Sequence, residues 1–250
     1  MNIWTEPFAV LADIHGNAAA LKAVMDDMRS RGIERAVNLG DSFYGPLDPG
    51  KTARLLERLG AVTVLGNQDR LVLEPPDSGN ANPTLRHVME NLLPSDLERL
   101  SQVPPVVELA GGDILCCHGT PEDDTVYLTE NTESGRPRPR SCAEMEDRIG
   151  ARAPSLVLCG HSHLFRVIRC NTMTVVNPGS VGLPAYADDD PPHAMSSGSP
   201  HARYAIISRE RDAWSITGPL VEYDWDGAAA MALEHGRADW AGWLQSGVAE

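Results

Sequence analysis

Five short apolar runs in this chain each stop on side chains that are costly to bury. "FAVLADIHGN" ends on Asp13 and His15, "VNLGD" on Asp41, "VTVLGN" on Asn67, "ILCCH" on His118, and "LVLCGHSH" on His161 and His163. A short apolar run closed by Gly, Asp, Asn or His reads as a buried strand. A carboxylate at its end is tolerated only if it is paired, protonated or bound to a cation. A single Asp after a strand is an ordinary cap or turn residue. Five donor-bearing strand ends in one chain constrain the fold more tightly, because polar groups in open α/β sheets gather beyond the carboxyl ends of parallel strands.

Amphipathic stretches separate these ends. Leu21, Val24, Met25 and Met28 recur at helical spacing within 17–31, 51–59 is helical, and 84–100 is helical with a break at Pro94. With strands at 8–14, 36–39 and 61–65, this βαβαβ opening implies parallel strands joined by right-handed crossovers. Later strands follow closely, at 106–109, 114–117, 156–159, 165–169, 173–176, 204–208 and 214–217, which implies hairpins and mixed sheets. We expect one α/β domain over residues 1–250, with two mixed sheets face to face and helices outside them. The polar segments 129–141 and 187–201, rich in Pro, Gly and Ser, read as mobile loops with little to bury.

A chain of 250 residues can bury a sizeable core. Its net charge of −14 disfavours duplex nucleic acid and anionic membranes as partners, since both reward clustered Lys and Arg. No run approaches membrane-spanning length, and "MNIWTEPFAV" carries no basic leader before an apolar stretch, so a cytoplasmic protein is expected. Cys116, Cys117, Cys142, Cys159 and Cys170 are odd in number and lack framework spacing. They read as reduced, mostly buried thiols. The oligomeric state is left open.

The strand-end donors are Asp13, Asp41 and Asn67 with His15, His118, His161 and His163. Oxygen and imidazole without thiolate suit Mn, Fe, Zn, Co or Ni rather than a thiolate-rich structural zinc site. Seven donors exceed one tetrahedral ion and match two divalent ions that share a ligand. Asp13, His15, Asp41 and His163 would hold the first ion, and Asp41, Asn67, His118 and His161 the second, with Asp41 as the bridge. On extended backbone residues i and i+2 point the same way, so Asp13/His15 and His161/His163 are each expected to address one locus. Such a pair of ions leaves a cationic pocket that fits a small phosphorylated molecule, and it lowers the pKa of bound water toward about 7.

The segments "DIHGN", "GDSFYGPLDP", "GNQD", "CHGT", "GHSH" and "NPGSVGLP", in this order over about residues 10–208, resemble the calcineurin-like metallophosphoesterases. The likeness is nearest to the small prokaryotic predicted phosphodiesterases related to diadenosine tetraphosphatases. It implies a four-layer αββα sandwich and supports the two-ion ligand set, with manganese favoured. It further implies hydrolysis of phosphodiesters or nucleotide phosphoanhydrides through a metal-bound hydroxide, with small phosphorylated molecules, nucleotides included, as substrates. A diadenosine-polyphosphate hydrolase and a protein phosphatase are alternatives within that chemistry.

One position departs from the family pattern Gly-Asn-His-Asp, whose histidine contacts phosphate and is often proposed to protonate the leaving group. This chain has Gln68 there, which donates a hydrogen bond but delivers no proton near neutral pH. The change implies a preference for activated or nucleotide-type leaving groups. It also keeps open a rival reading, a catalytically weak metal- and nucleotide-binding protein. Asn67, Gln68, Asp69 and His118 are the residues expected to act in catalysis, Asp69 by orienting a histidine ligand, with an exposed cap as its alternative reading. Asn17 reads as a helix cap that can also meet phosphate. His193 and His201 read as solvated loop residues ahead of a substitute for the missing histidine, "VNPGS" as a tight turn beneath the site, and Trp240, Trp243 and Leu244 as packing or a dimer seam ahead of a base-stacking platform.

Overall fold

The amino-terminal third alternates strand and helix: β1 (Phe8–Leu11), α1 (Ala18–Ser30), β2 (Ala36–Asn38), α2 (Pro49–Leu59) and β3 (Val62–Thr63). The structure, a computed structural model, describes residues 4, 6–74, 82–211 and 213–249, so Met1, Asn2, Ile3 and Thr5 of the amino-terminal stretch lie outside the described residues. Next come α3 (Asn67–Leu73), α4 (Pro83–Asn91) and α5 (Pro94–Ser101). Pro94 is the first residue of α5, where its missing N–H costs nothing, so the expected break is a helix start. The chain continues through β4 (Val106–Leu109), β5 (Ile114–Cys117), β6 (Glu130–Asn131), β7 (Arg138–Pro139), α6 (Cys142–Ile149), β8 (Leu156–Leu158), β9 (Phe165–Arg169) and β10 (Thr174–Pro178). It ends with β11 (Ala185–Asp189), β12 (Pro192–Ser196), β13 (Ala202–Arg203), β14 (Ala205–Glu210), β15 (Ala213–Thr217), β16 (Leu220–Val221), α7 (Trp225–Glu234) and α8 (Ala238–Ser246).

Two mixed sheets of five strands form among the described residues. The first has the order β15-β14-β1-β2-β3, parallel across β1, β2 and β3 and antiparallel where β14 joins β1. The second has the order β4-β5-β8-β10-β9, with β5, β8 and β10 parallel. Alternation along each strand decides the layers. Phe8 and Val10 meet Ile114, Cys116, Leu156 and Leu158 in the core between the sheets. Ala9 and Leu11 face the other way, against Leu21, Val24 and Met28 of α1. Leu115 and Cys117 likewise pack against Met145 and Ile149 of α6. The side chains of the adjacent Cys116 and Cys117 therefore point to opposite faces of one sheet of the expected αββα sandwich, Cys116 between the sheets and Cys117 toward α6.

Two expectations need correction. Cys142 and Cys170 are not reduced thiols but a disulfide, which ties the start of α6 to the residue after β9 across 28 positions; Cys116, Cys117 and Cys159 are free and buried. The polar segments do have something to bury. β6 pairs with β7 and β11 with β12, and Thr129, Glu130, His193 and Met195 are buried. Their partners are distant in sequence: Glu130 accepts from Arg166 Nε at 2.7 Å, and His193 Nε2 lies 2.9 Å from the Tyr127 hydroxyl. No described helix is long and apolar enough to cross a membrane.

Candidate metal centre

The carboxyl ends of β1, β2, β3, β5 and β8 deliver the seven predicted donors to one place, but not on extended backbone. Asp13, His15, Asp41, His161 and His163 all have positive φ, at 55°, 52°, 53°, 69° and 58°. Left-handed backbone costs a non-glycine residue roughly 1–2 kcal/mol, so the i, i+2 reasoning is replaced by a set of tight turns that other contacts must hold. Asp13 N donates to Gly40 O at 3.0 Å and His15 N to Asp41 O at 2.9 Å, which continues the pairing of β1 and β2 past both strand ends. Ser180 Oγ and Gly182 N both donate to Asp13 O. Asn177 Nδ2 donates to Gly160 O at 2.6 Å and Ser162 Oγ at 3.1 Å, so "VNPGS" braces the turn that carries His161 and His163.

Glycine is required where the ends of β2 and β3 converge. Gly40 has φ of 96°, and a Cβ there would sit 2.5 Å from Gly66 N. A Cβ on Gly66 would collide with the Asp41 carboxylate. Only residues without side chains allow this approach.

The donors form two groups. Ligand atoms of Asp13, His15 and His163 lie within 4.8 Å of one another, as do those of Asp41, His118 and His161. Asn67 joins the second group through its Oδ1, 3.0 Å from His118 Nε2. Asp41, expected to bridge, stands with His118, its Oδ2 3.4 Å from His118 Nε2.

Each imidazole has one ring nitrogen on a main-chain carbonyl: His15 Nδ1 on Tyr44 O at 2.8 Å, His163 Nδ1 on Leu183 O at 2.6 Å, His118 Nδ1 on Leu39 O at 2.7 Å, and His161 Nε2 on Thr125 O at 3.0 Å. A carbonyl only accepts, so that nitrogen carries the proton; a neutral ring at His15, His161 or His163 then turns its lone pair inward, whereas His118 Nε2 points at Asn67 Oδ1 and Asp41 Oδ2. His15 Nε2 and His163 Nε2 then face each other at 3.1 Å. Asp13 Oδ1, 3.5 Å from His163 Nε2, is buried with no hydrogen-bond partner among the described residues. Opposed lone pairs beside an orphaned carboxylate oxygen fit a divalent cation, which would satisfy all three.

Burial sets the electrostatics. It pushes the Asp13 carboxyl well above the usual range and the His15 and His163 imidazoles below theirs, and with the charge of His118 it takes His161 down to about 4. For His118 burial is outweighed by Asp41 and Asp13, which pull it up to about 10. Burial of Asp41 is outweighed in turn by His118, which holds that carboxyl below the usual range.

Asp69 does not orient a histidine. Its carboxylate accepts from Ser42 N at 2.9 Å and Gly66 N at 3.3 Å, pinning the Asp41 turn to the start of α3. Burial, then the charge of Asp41, pushes it up to about 7. Main-chain carbonyls do the orienting instead. Gln68 N donates to Asp41 Oδ1 at 2.9 Å, while Gln68 Oε1 is buried with no partner among the described residues. Asn17 is a cap: its Oδ1 accepts from Ala20 N and its Nδ2 donates to Gly182 O.

Sequence reasoning missed the aromatic backing. Tyr127 stacks on His161 with centroids 4.5 Å apart, Tyr186 meets His163 at 4.6 Å, and the two hydroxyls are 2.7 Å apart. His193 joins them and is 7% exposed, not a solvated residue. Neither tyrosine lies in a motif, so no local signal marks them. Above the donors is a cavity of about 270 Å³, bordered at Tyr44, Asn67 and Gln68 by a second of about 340 Å³.

Residues 7–196 match the family model of the calcineurin-like phosphoesterase superfamily domain. The chain belongs to that superfamily. A calcineurin-like phosphoesterase is a metal-dependent phosphoester hydrolase, generally with a dinuclear centre. The chain is 26% identical over 253 residues to an uncharacterized protein of Methanocaldococcus jannaschii, covering 94% of this chain and 95% of the relative. In fold it is similar to a metallophosphoesterase from Sphaerobacter thermophilus, with a TM-score of 0.76 and 22% identity over 98% of this chain and 100% of the other. It is also similar to a hypothetical protein from Pyrococcus horikoshii OT3, with a TM-score of 0.71 and 20% identity over 98% and 99%.

Proposed function

We propose that this calcineurin-like phosphoesterase hydrolyses phosphodiesters or nucleotide phosphoanhydrides. Asp13, His15, Asp41 and His163 would hold one divalent ion and Asp41, Asn67, His118 and His161 a second, manganese suiting this oxygen and imidazole set. The observation that carries the reading is the facing pair of His15 Nε2 and His163 Nε2 beside the orphaned Asp13 Oδ1. Two bound ions supply positive charge for phosphate and acidify water toward neutral pH. The chain's own part is orientation. Main-chain carbonyls turn the imidazoles, and Tyr127 and Tyr186 cover the rings of His161 and His163. The Gln68 amide borders both cavities and can donate a hydrogen bond to a phosphoryl or leaving oxygen, but it cannot protonate it. Space on both sides of Gln68 supports a diester over a monoester.

The test is metal analysis of protein dialysed against manganese, with hydrolysis assays on an aryl phosphodiester, a dinucleoside polyphosphate and a phosphopeptide. About two ions per chain and turnover of the first or second substrate are expected. Absence of metal uptake would refute the reading. Nucleotide binding without turnover would favour the catalytically weak binding protein to which Gln68 points.

A further inference from the structure

The family match ends at residue 196, yet α8, near the far end of the chain, walls one side of the cavity above the donors. Arg237, at the cap of α8, and Trp240 and Trp243 within it all line that cavity. Their spacing of three places them on one side of the helix. Two of the three are already engaged. Trp240 is 3% exposed, meets the His15 ring edge-on at 5.6 Å and carries the Arg237 guanidinium over its face at 5.3 Å. Arg237 donates through Nε and Nη2 to Asp239, at 2.9 and 2.7 Å, and through Nη1 to Thr84 Oγ1 at 2.8 Å. Its charge is therefore matched within the helix start.

Trp243 is different. It is only partly buried, and with Tyr44 and Tyr186 it presents aromatic surface to the cavity. Asp188, exposed, borders the same space. A wall of rings with a neutralised guanidinium and a carboxylate at its edge disfavours a further phosphate and favours a flat, uncharged ring, which stacks on aromatic faces without regard to its hydrogen-bonding edge. We infer that α8 forms a subsite for a flat, uncharged aromatic ring on one arm of the phosphoester, with Trp243 as its stacking residue. This rests on the phosphoester reading above. The ring belongs either to a nucleobase or to a simple aryl group.

Calorimetric titration of the manganese-loaded protein with AMP, ribose 5-phosphate, phenyl phosphate and inorganic phosphate tests it. AMP is expected to bind about 5- to 150-fold more tightly than ribose 5-phosphate, which lacks only the base. That ratio falls to near one in Trp243→Ala and survives in Trp243→Phe; Trp243→Leu replaces the alanine variant if the latter does not fold. Equal binding of AMP and ribose 5-phosphate by the wild type, or an unchanged ratio in Trp243→Ala, overturns the subsite while leaving phosphate binding intact. Phenyl phosphate binding as tightly as AMP supports the subsite with a simple aryl ring as occupant, and binding no tighter than inorganic phosphate supports it with a nucleobase. Failure of inorganic phosphate to bind refutes the phosphoester reading and the subsite together.

Discussion

Replacing Asp13 by asparagine should stabilise the metal-free protein and weaken the metal-loaded one. Without an ion, Asp13 Oδ1 is fully buried and has no hydrogen-bond partner among the described residues, while Oδ2 accepts from His161 N at 3.2 Å. An amide nitrogen at the Oδ1 position carries no charge and can donate to His163 Nε2, 3.5 Å away, whose lone pair points inward. Relief of an unsatisfied buried group is worth about 1–3 kcal/mol. At about 2–4 °C per kcal/mol for a chain of this size, chelated Asp13→Asn should melt about 2–12 °C above chelated wild type. Manganese at a thousandfold its Kd should stabilise wild type by about 4 kcal/mol for each site, roughly 8–16 °C. The variant should lose most of one such gain, because a neutral amide is a poor substitute for a carboxylate ligand. Scanning calorimetry with chelator and with saturating manganese reads both effects. The rank order of the two proteins should invert between the two conditions, and an order that stays the same refutes the argument that Asp13 is held for a cation.

Three further outcomes follow from particular contacts. Gln68→His should raise kcat/KM on alkyl-type esters by about 10²- to 10⁴-fold and change p-nitrophenyl esters little; an unaltered dependence on leaving-group pKa would show that protonation is not what the wild type lacks. Gly66→Ala drives a methyl group into the Asp41 carboxylate, so urea unfolding should show a loss of about 1–3 kcal/mol together with weaker manganese binding. A variant matching wild type in both would mean that the turn opens freely. Reduction of the Cys142–Cys170 disulfide, which spans 28 positions, should cost about 3–4 kcal/mol. Cys142→Ser should show no response to reductant, whereas wild type should; equal responses would place the effect elsewhere.

The parts legible in the sequence are those encoded by neighbouring residues. The strand over Phe8–Leu11 shows as an apolar run, α1 as the spacing of Leu21, Val24 and Met28, and the site as polar donors directly after such runs. Reading Asp13/His15 and His161/His163 as extended backbone reached the right neighbourhood by the wrong geometry. Nothing in "ADIH" or "GHSH" demands a positive φ; Gly40, Asp41, Gly182 and Asn177 hold those turns through contacts that span up to about 170 positions. The seven residues of α3 are too few to show a period, so the sequence does not separate a histidine partner from a cap at Asp69, which caps amides from a fully buried position. The Cys142–Cys170 pair and the pairing of β11 with β12 were hidden because composition reports polarity, not partners.

Sequence alone determined the alternating strands and helices of the amino-terminal third, the apolar strands that make the two sheets, and the oxygen and imidazole chemistry of the donors, since each depends on residue type and local spacing. Tertiary structure decided which nitrogen of each imidazole turns inward, which carboxylate oxygen is left unpaired, and that Trp240 is buried whereas Trp243 is only partly so where both line the cavity. Those outcomes rest on hydrogen bonds and packing between distant segments, such as His118 with Leu39, and such partners meet only when the two sheets have closed on each other.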